Sequence, residues 1–273
     1  MFADVLAILF LLFLALIPVA GFVVGMFRGG YSPLHYVLWS LDRVLAKFLW
    51  RTTAESPFPL PPGMGGIIVC NHRSSVDPFF MQAAMTRKAH WMVAREYVES
   101  KVFGPFLKWC EVIPVNRAGI DTAATKMAIR LAAQGGLVGM FPEGRINRTE
   151  ELLLPGRAGA AMVALKARVC IIPCYISGAP FGGAPWTPFL MPARVRVLFG
   201  TPLDLAEYRG REEEAGVAEE IIIRAMRGIA TLANRSDFQP SLAGRNWKPT
   251  AEELAAGEAA VKERKRQRRL ASD

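Results

Sequence analysis

His72 and Asp77 stand five residues apart in the stretch CNHRSSVDPFF (70–80), in a chain with only three histidines. An imidazole held by a carboxylate is suited to drawing a proton from an alcohol near neutral pH. Imidazole titrates near pH 6.5, and the carboxylate decides which ring nitrogen carries the proton. The competing reading is structural, because Asp77-Pro78 has the form of a helix start with aspartate as cap and proline in the first turn. On a continuous helix, positions five apart lie about 140° around the axis and do not meet. Pairing therefore requires a loop that folds back from a strand end onto a helix start. His35, in an amphipathic run, and His90, at the edge of an apolar run, are the bland histidines of the chain. Ser74 and Ser75 are nucleophile candidates, but no G-x-S-x-G elbow is present.

A second group lies in GLVGMFPEGRINRTEELLLPGRAGAAMVALKA (136–167). Pro142-Glu143-Gly144 reads as a turn, followed by Arg145, Arg148 and Arg157. Gly144 allows a tight turn, and guanidinium groups supply forked donors that match phosphate oxygens. A polar loop with scattered arginines is the alternative. The stretch EVIPVNRAG (111–119) places Arg117 just past an apolar run in the same way. Basic loops that all follow strand ends form the anion pocket a phosphorylated ligand needs.

Loops at strand ends presuppose strands. Short apolar runs at 66–70, 90–94, 112–115, 136–141, 169–176 and 194–199 alternate with helical patterns at 78–87, 102–109, 121–134, 157–168 and 216–234. This alternation predicts an α/β domain, a mostly parallel mixed sheet flanked by helices, with its site past the carboxyl ends of the strands.

An N-terminal membrane-anchoring helical segment precedes that domain. Residues 5–27 carry no charge over 23 positions, enough to cross a hydrocarbon core of roughly 30 Å. Asp4 rather than a cation precedes the run, which favours a retained anchor over a cleaved signal. Arg28, Arg43, Lys47 and Arg51 follow it, so the positive-inside bias places the domain on the cytoplasmic side. Pro18, Gly21 and Gly25 leave a shallow monotopic insertion open beside a single pass. Residues 34–49 space Leu34, Val37, Leu38, Leu41, Val44, Leu45, Phe48 and Leu49 as one helical stripe, lying at the membrane interface or packing on the domain. The organisation expected is an anchor and interfacial helix at 1–54, an α/β domain at 55–238 opened by the proline-rich linker 55–66, and a basic tail at 239–273. A net charge of +9 without a nucleic-acid motif points to a phospholipid membrane and phosphorylated substrates, not to nucleic acid. Cys70, Cys110, Cys170 and Cys174 lack C-x-x-C spacing and read as buried, reduced thiols.

Taken in order, these stretches resemble the glycerolipid acyltransferase family typified by 1-acylglycerol-3-phosphate acyltransferases. Asn71 to Asp77 is similar to the family's N-H-x4-D signature, Ile113 to Arg117 to its second block, Phe141 to Gly144 to the opening of its third, and Ile171 to Gly178 to its fourth. The third block departs from the family's F-P-E-G-T-R. Arg145 follows Gly144 directly and Ile146 takes the arginine position, so either Arg145 or Arg148 serves as the phosphate contact. Arg157 resembles a basic position that precedes a Gly-Ala pair in the family. The resemblance implies transfer of a fatty acyl group from acyl-CoA or acyl carrier protein to the sn-2 hydroxyl of the lysophospholipid 1-acylglycerol-3-phosphate, giving phosphatidic acid. It implies His72 as general base oriented by Asp77, and Arg117, Glu143, Gly144, Arg145, Arg148 and Arg157 as the phosphate site. Direct transfer without an acyl-enzyme is implied, with no cofactor and no metal, since His72 and Asp77 are too sparse a ligand set. The alternatives are the same chemistry on another lysolipid, or a non-enzymatic basic protein that binds membrane lipid.

Overall fold

The apolar N-terminus forms one continuous helix, α1 (Phe2–Gly29), which passes Pro18 without breaking. At about 1.5 Å per residue, its 28 residues are long enough to cross a membrane, and an 18-residue apolar window within Leu9–Gly29 has no buried residue. The structure is a computed structural model that describes residues 2–116, 121–181, 185–244, 247–256 and 259. The chain reverses at Gly30, which adopts the left-handed φ of 72° that a side chain disfavours. Helix α2 (Pro33–Phe48) then begins, with the Ser32 hydroxyl accepting the His35 N–H. Gly25 is what lets the two helices close, because a Cβ there would overlap the Tyr36 hydroxyl.

Helix α2 turns its aromatic and polar face inward. His35, Tyr36, Trp39, Asp42 and Ala46 are buried, and the Trp39 indole N–H donates to the carbonyls of Gln82 and Met85. Leu34, Val37, Leu41, Val44 and Phe48 form an exposed apolar stripe. The packing reading of this helix therefore holds, since one face docks on the domain, and the other face is exposed and apolar.

The domain runs β1 (Thr53–Ala54), β2 (Gly66–Cys70), α3 (Asp77–Ala83), β3 (Ala89–Ala94), α4 (Arg95–Val98), α5 (Gly104–Trp109), β4 (Ile113–Val115), α6 (Thr122–Ala133), β5 (Leu137–Met140), α7 (Gly159–Ala167), β6 (Cys170–Ser177), β7 (Arg196–Phe199) and α8 (Val217–Leu232). All six expected strands form, in a seven-stranded sheet ordered β1-β7-β6-β2-β5-β3-β4. Every pairing is parallel except β6 with β7. Strand β2 is buried along its whole length, and its sequence GIIVC is accordingly apolar without alternation. Ala124, Ala128 and Ala132 of α6, Ala160 and Ala164 of α7, and Ile221 and Ile229 of α8 build the core on one face. Trp50, Phe80, Met81, Met85 and Trp91 fill the other.

Two details concern the ends of the domain. Strand β1 pairs with β7, so the sheet begins ahead of the proline-rich linker. That linker is packed rather than loose, with Leu60 buried and the Ser56 hydroxyl donating to the Phe199 carbonyl. Beyond α8, Leu242 bridges to Gly156. The basic stretch KERKRQRRLASD (262–273) lies outside the described residues.

Candidate active site

Strands β2 and β5 are parallel neighbours, with Val69 opposite Met140. Their carboxyl ends therefore deliver Asn71-His72 and Phe141-Pro142-Glu143-Gly144 side by side, at the middle of the sheet. Asn71 continues the ladder with its side chain. Its amide donates to the Ile176 carbonyl at 2.9 Å, and its oxygen accepts the Ile176 N–H at 2.8 Å. Past that pin the chain leaves the sheet and curls around a single oxygen. Asp77 Oδ2 takes the His72 ring at Nδ1, 2.9 Å away, and accepts the backbone N–H groups of Arg73 at 2.7 Å and Ser74 at 2.8 Å.

The fold-back loop required for pairing is thus present, and it corrects the capping reading. Asp77 makes no side-chain cap on α3, and its carboxylate serves the turn before the helix instead. Asp77 is fully buried, while the His72 side chain is 15 % exposed. The ring lies flat on Phe141, with centroids 3.8 Å apart and planes 11° from parallel, and Phe141 stacks in turn on Trp91. A carboxylate can only accept, so this contact favours the neutral tautomer with its proton on Nδ1 and a lone pair on Nε2.

The 141–157 loop grips the same histidine by its main chain. Glu143 Oε1 accepts the His72 N–H at 2.7 Å, and the Asn147 N–H donates to the His72 carbonyl at 2.7 Å. The other Glu143 oxygen accepts the Leu154 N–H at 2.8 Å. Arg73 extends across the loop and donates to the carbonyls of Asn147 and Thr149. Glu143 is only 1 % exposed, with both oxygens engaged. Its expected place among the phosphate contacts is corrected, since both oxygens are turned inward to backbone N–H groups. Burial pushes its carboxyl up to about 8 against the pull of the two backbone donors.

The arginines are brought onto one loop. Gly144 is exposed and left-handed at φ 67°, and Arg157 lies over it, with a Cβ there reaching 3.4 Å from the Arg157 Nε. The Arg157 N–H returns to the Pro142 carbonyl at 2.9 Å. Arg145 is half-buried, and Arg148 is exposed with its guanidinium 5.6 Å from the Phe181 ring. Arg117 lies outside the described residues.

The remaining reactive side chains fall elsewhere. His35 sits 3.6 Å from Glu111, and His90 Nδ1 bonds the Glu111 carbonyl at 2.9 Å. Burial holds both imidazoles below their ordinary value, as expected of structural histidines. All four cysteines are free, and burial pushes the Cys110 thiol up to about 12. Sequence reasoning missed Phe141 beneath the ring and the loop ties of Arg73 and Asn147. Bonds to backbone carbonyls and N–H groups leave no spacing pattern to find.

Comparison with known proteins fits this arrangement. The Acyltransferase family model matches residues 51–177, which include the His72 and Glu143 loops. A 1-acyl-sn-glycerol-3-phosphate acyltransferase of Bacillus subtilis is 28% identical over 182 residues, 65% of this chain and 86% of that protein. A Streptococcus pneumoniae protein of the same name is 28% identical over 180 residues, 63% of this chain, and the match spans 59% of its own length. The crystal structure of the 1-acyl-sn-glycerophosphate (LPA) acyltransferase PlsC from Thermotoga maritima superposes with a TM-score of 0.57. It is 20% identical, covers 78% of this chain and 88% of its own, and shows the shared fold.

Proposed function

We propose that this chain, which is similar over residues 51–177 to the Acyltransferase family and over most of the domain to 1-acyl-sn-glycerol-3-phosphate acyltransferases, is an acyltransferase that esterifies the sn-2 hydroxyl of 1-acylglycerol-3-phosphate with a fatty acyl group from acyl-CoA or acyl carrier protein. Phosphatidic acid is the product. The likeness to named acyltransferases supports this reading over a non-enzymatic lipid-binding protein. The observation that carries the reading is the 2.9 Å contact of a part-exposed imidazole with a fully buried carboxylate.

In the proposed step, His72 Nε2 takes the proton of the acceptor hydroxyl as its oxygen bonds to the thioester carbonyl carbon. The tetrahedral intermediate collapses with cleavage of the C–S bond. The departing sulfur receives the proton from Nε2, so the free thiol leaves and the ring returns to its starting state. Asp77 stays ionised and balances the transient imidazolium. The thioester itself carries the activation, so the step needs no cofactor. Ser74 is buried with its hydroxyl accepting the Val76 N–H, and the Ser75 hydroxyl donates to the Pro185 carbonyl at 2.6 Å. Both serines are thus tied into the loop, which supports direct transfer.

Arg145, Arg148 and Arg157, with Arg117, are proposed to hold the acceptor phosphate. The largely exposed apolar helix α1 and the apolar stripe of α2 support a membrane-bound enzyme whose lipid substrates arrive from the bilayer. Arg28, Arg43, Lys47 and Arg51 support a cytoplasmic domain.

Ile146, where the family carries arginine, favours a second reading in which another lysolipid is the acceptor. Full-length protein in mixed micelles, given labelled acyl-CoA or acyl carrier protein and a panel of lysolipids, separates the two. Phosphatidate from 1-acylglycerol-3-phosphate is the expected product. Transfer to a different lysolipid with none to 1-acylglycerol-3-phosphate, from either donor, would replace the first reading by the second.

A further inference from the structure

We propose that Glu143 is a positioning residue that ties the backbone of His72 to the loop carrying Arg157, so that base and anion-binding arm keep a constant separation. The inference rests on His72 being the base of the acyl transfer.

One carboxylate joins two segments far apart in the chain. Oε1 holds the His72 N–H at 2.7 Å and Oε2 holds the Leu154 N–H at 2.8 Å. Leu154 is three residues before Arg157, and the arm between them is anchored at both ends. Leu153 and Leu154 are buried, Gly156 exchanges backbone bonds of 2.8 Å with Ser241 and Ala243, and the Arg157 N–H bonds Pro142 in the turn of Glu143 itself. Asp77 sets the ring of His72, and Glu143 sets the main chain from which the ring hangs. Among the described hydrogen bonds, Glu143 is the side chain that reaches the His72 N–H itself. Arg73, from the His72 side, also spans the two loops but bonds the carbonyls of Asn147 and Thr149, short of Leu154 and Arg157.

The ionised form suits this role best, because both of its oxygens accept. A protonated carboxyl turns one oxygen into a donor that faces an N–H, and one strut is lost. The charged groups around Glu143 are Arg73, which favours ionisation, and Asp77, which opposes it, with the buried Cys70 thiol nearby. Burial is the largest influence and lifts the carboxyl to about 8, so the bridge strengthens as pH rises through that value. The same shift has a stability consequence. The folded chain holds this proton to about pH 8 while an unfolded glutamate releases it near 4.5. The stability this group contributes is therefore complete below 4.5 and lost as pH rises to 8.

The test compares wild type, Glu143→Gln and Glu143→Asp as full-length proteins with acyl-CoA and varied 1-acylglycerol-3-phosphate, from pH 6 to 9. Glutamine keeps the length but sets an NH2 against one of the two N–H groups. Aspartate withdraws the carboxylate from both. Misplacement of a catalytic group by about 1 Å costs on the order of 100-fold, so above pH 8, where wild-type Glu143 is ionised, kcat is expected to fall about 10- to 100-fold in both variants. KM for the acceptor should stay within about threefold. The rise of kcat near pH 8 should disappear in Glu143→Gln. An acceptor KM raised about tenfold with kcat intact would mean that Glu143 contacts substrate, and would overturn the proposal. A lowered Tm with unaltered kcat and pH profile would reduce Glu143 to a fold contact and overturn it equally.

Should the variants not fold, the wild-type His72 amide proton reports the bridge without substitution or substrate. Its resonance is expected far downfield and moving with pH near 8, and an amide blind to pH there overturns the inference. That readout stands whether or not 1-acylglycerol-3-phosphate proves to be the acceptor.

Discussion

His72→Ala is expected to lower kcat by about 10²–10⁴-fold, the range general-base assistance supplies, or about 3–5 kcal/mol of barrier. KM for the acceptor should hardly change, because the ring handles only the reacting proton. The fold should survive. The bonds that fasten this position use its backbone N–H and carbonyl, to Glu143 and Asn147, and alanine keeps both. What is lost is the stack on Phe141 and the ring's bond to Asp77, whose Oδ2 still accepts the N–H groups of Arg73 and Ser74. Initial rates of labelled acyl transfer, read beside a circular-dichroism melt, check both halves. A variant of full rate would end the role assigned to His72.

Asp77→Ala is expected to be almost as damaging to rate and much more damaging to stability. One oxygen serves the imidazole and the N–H groups of Arg73 and Ser74. Deleting it strands donors in the interior at about 1–3 kcal/mol each, so Tm should drop well below that of His72→Ala. The loss in kcat should again reach about 10²–10⁴-fold, because the ring tautomer and the balancing charge both go. Asp77→Asn separates charge from geometry. Its amide oxygen can occupy the Oδ2 place and keep the loop bonds, while its NH2 falls where Oδ1 is buried without a partner. A smaller fall in Tm with a comparable fall in kcat is the expected pattern. Wild-type kcat in Asp77→Asn would show that orientation alone matters.

Much of the fold is legible in the chain because its central strands are buried on both faces. GIIVC and CIIPCYIS read as apolar runs for the same reason that they form β2 and β6. Strand β1, two residues long, and helix α4, four residues long, are too short to show a period. Helix α2 shows the limit of amphipathic reasoning. The spacing of Leu34, Val37, Leu41, Val44 and Phe48 marks an apolar face but not its neighbour. The structure buries the aromatic face with Trp39 and leaves the apolar stripe exposed.

At the site, His72 and Asp77 are legible from their types and order, and the sheet supplies the loop that joins them. Glu143 is not. A carboxylate beside three arginines reads as part of an anion pocket, and only the tertiary structure reveals that its partners are two backbone N–H groups. One of those belongs to a residue 71 positions away.

The central claim is that His72 presents an unprotonated Nε2 because Asp77 holds the proton on Nδ1. Nitrogen-15 spectra of ring-labelled protein test it directly, at a pH where the imidazole is neutral and with His72→Gln used to assign the signal among three histidines. The expected result is a protonated Nδ1 and a bare Nε2 for His72. A His72 ring carrying its proton on Nε2 would contradict the mechanism.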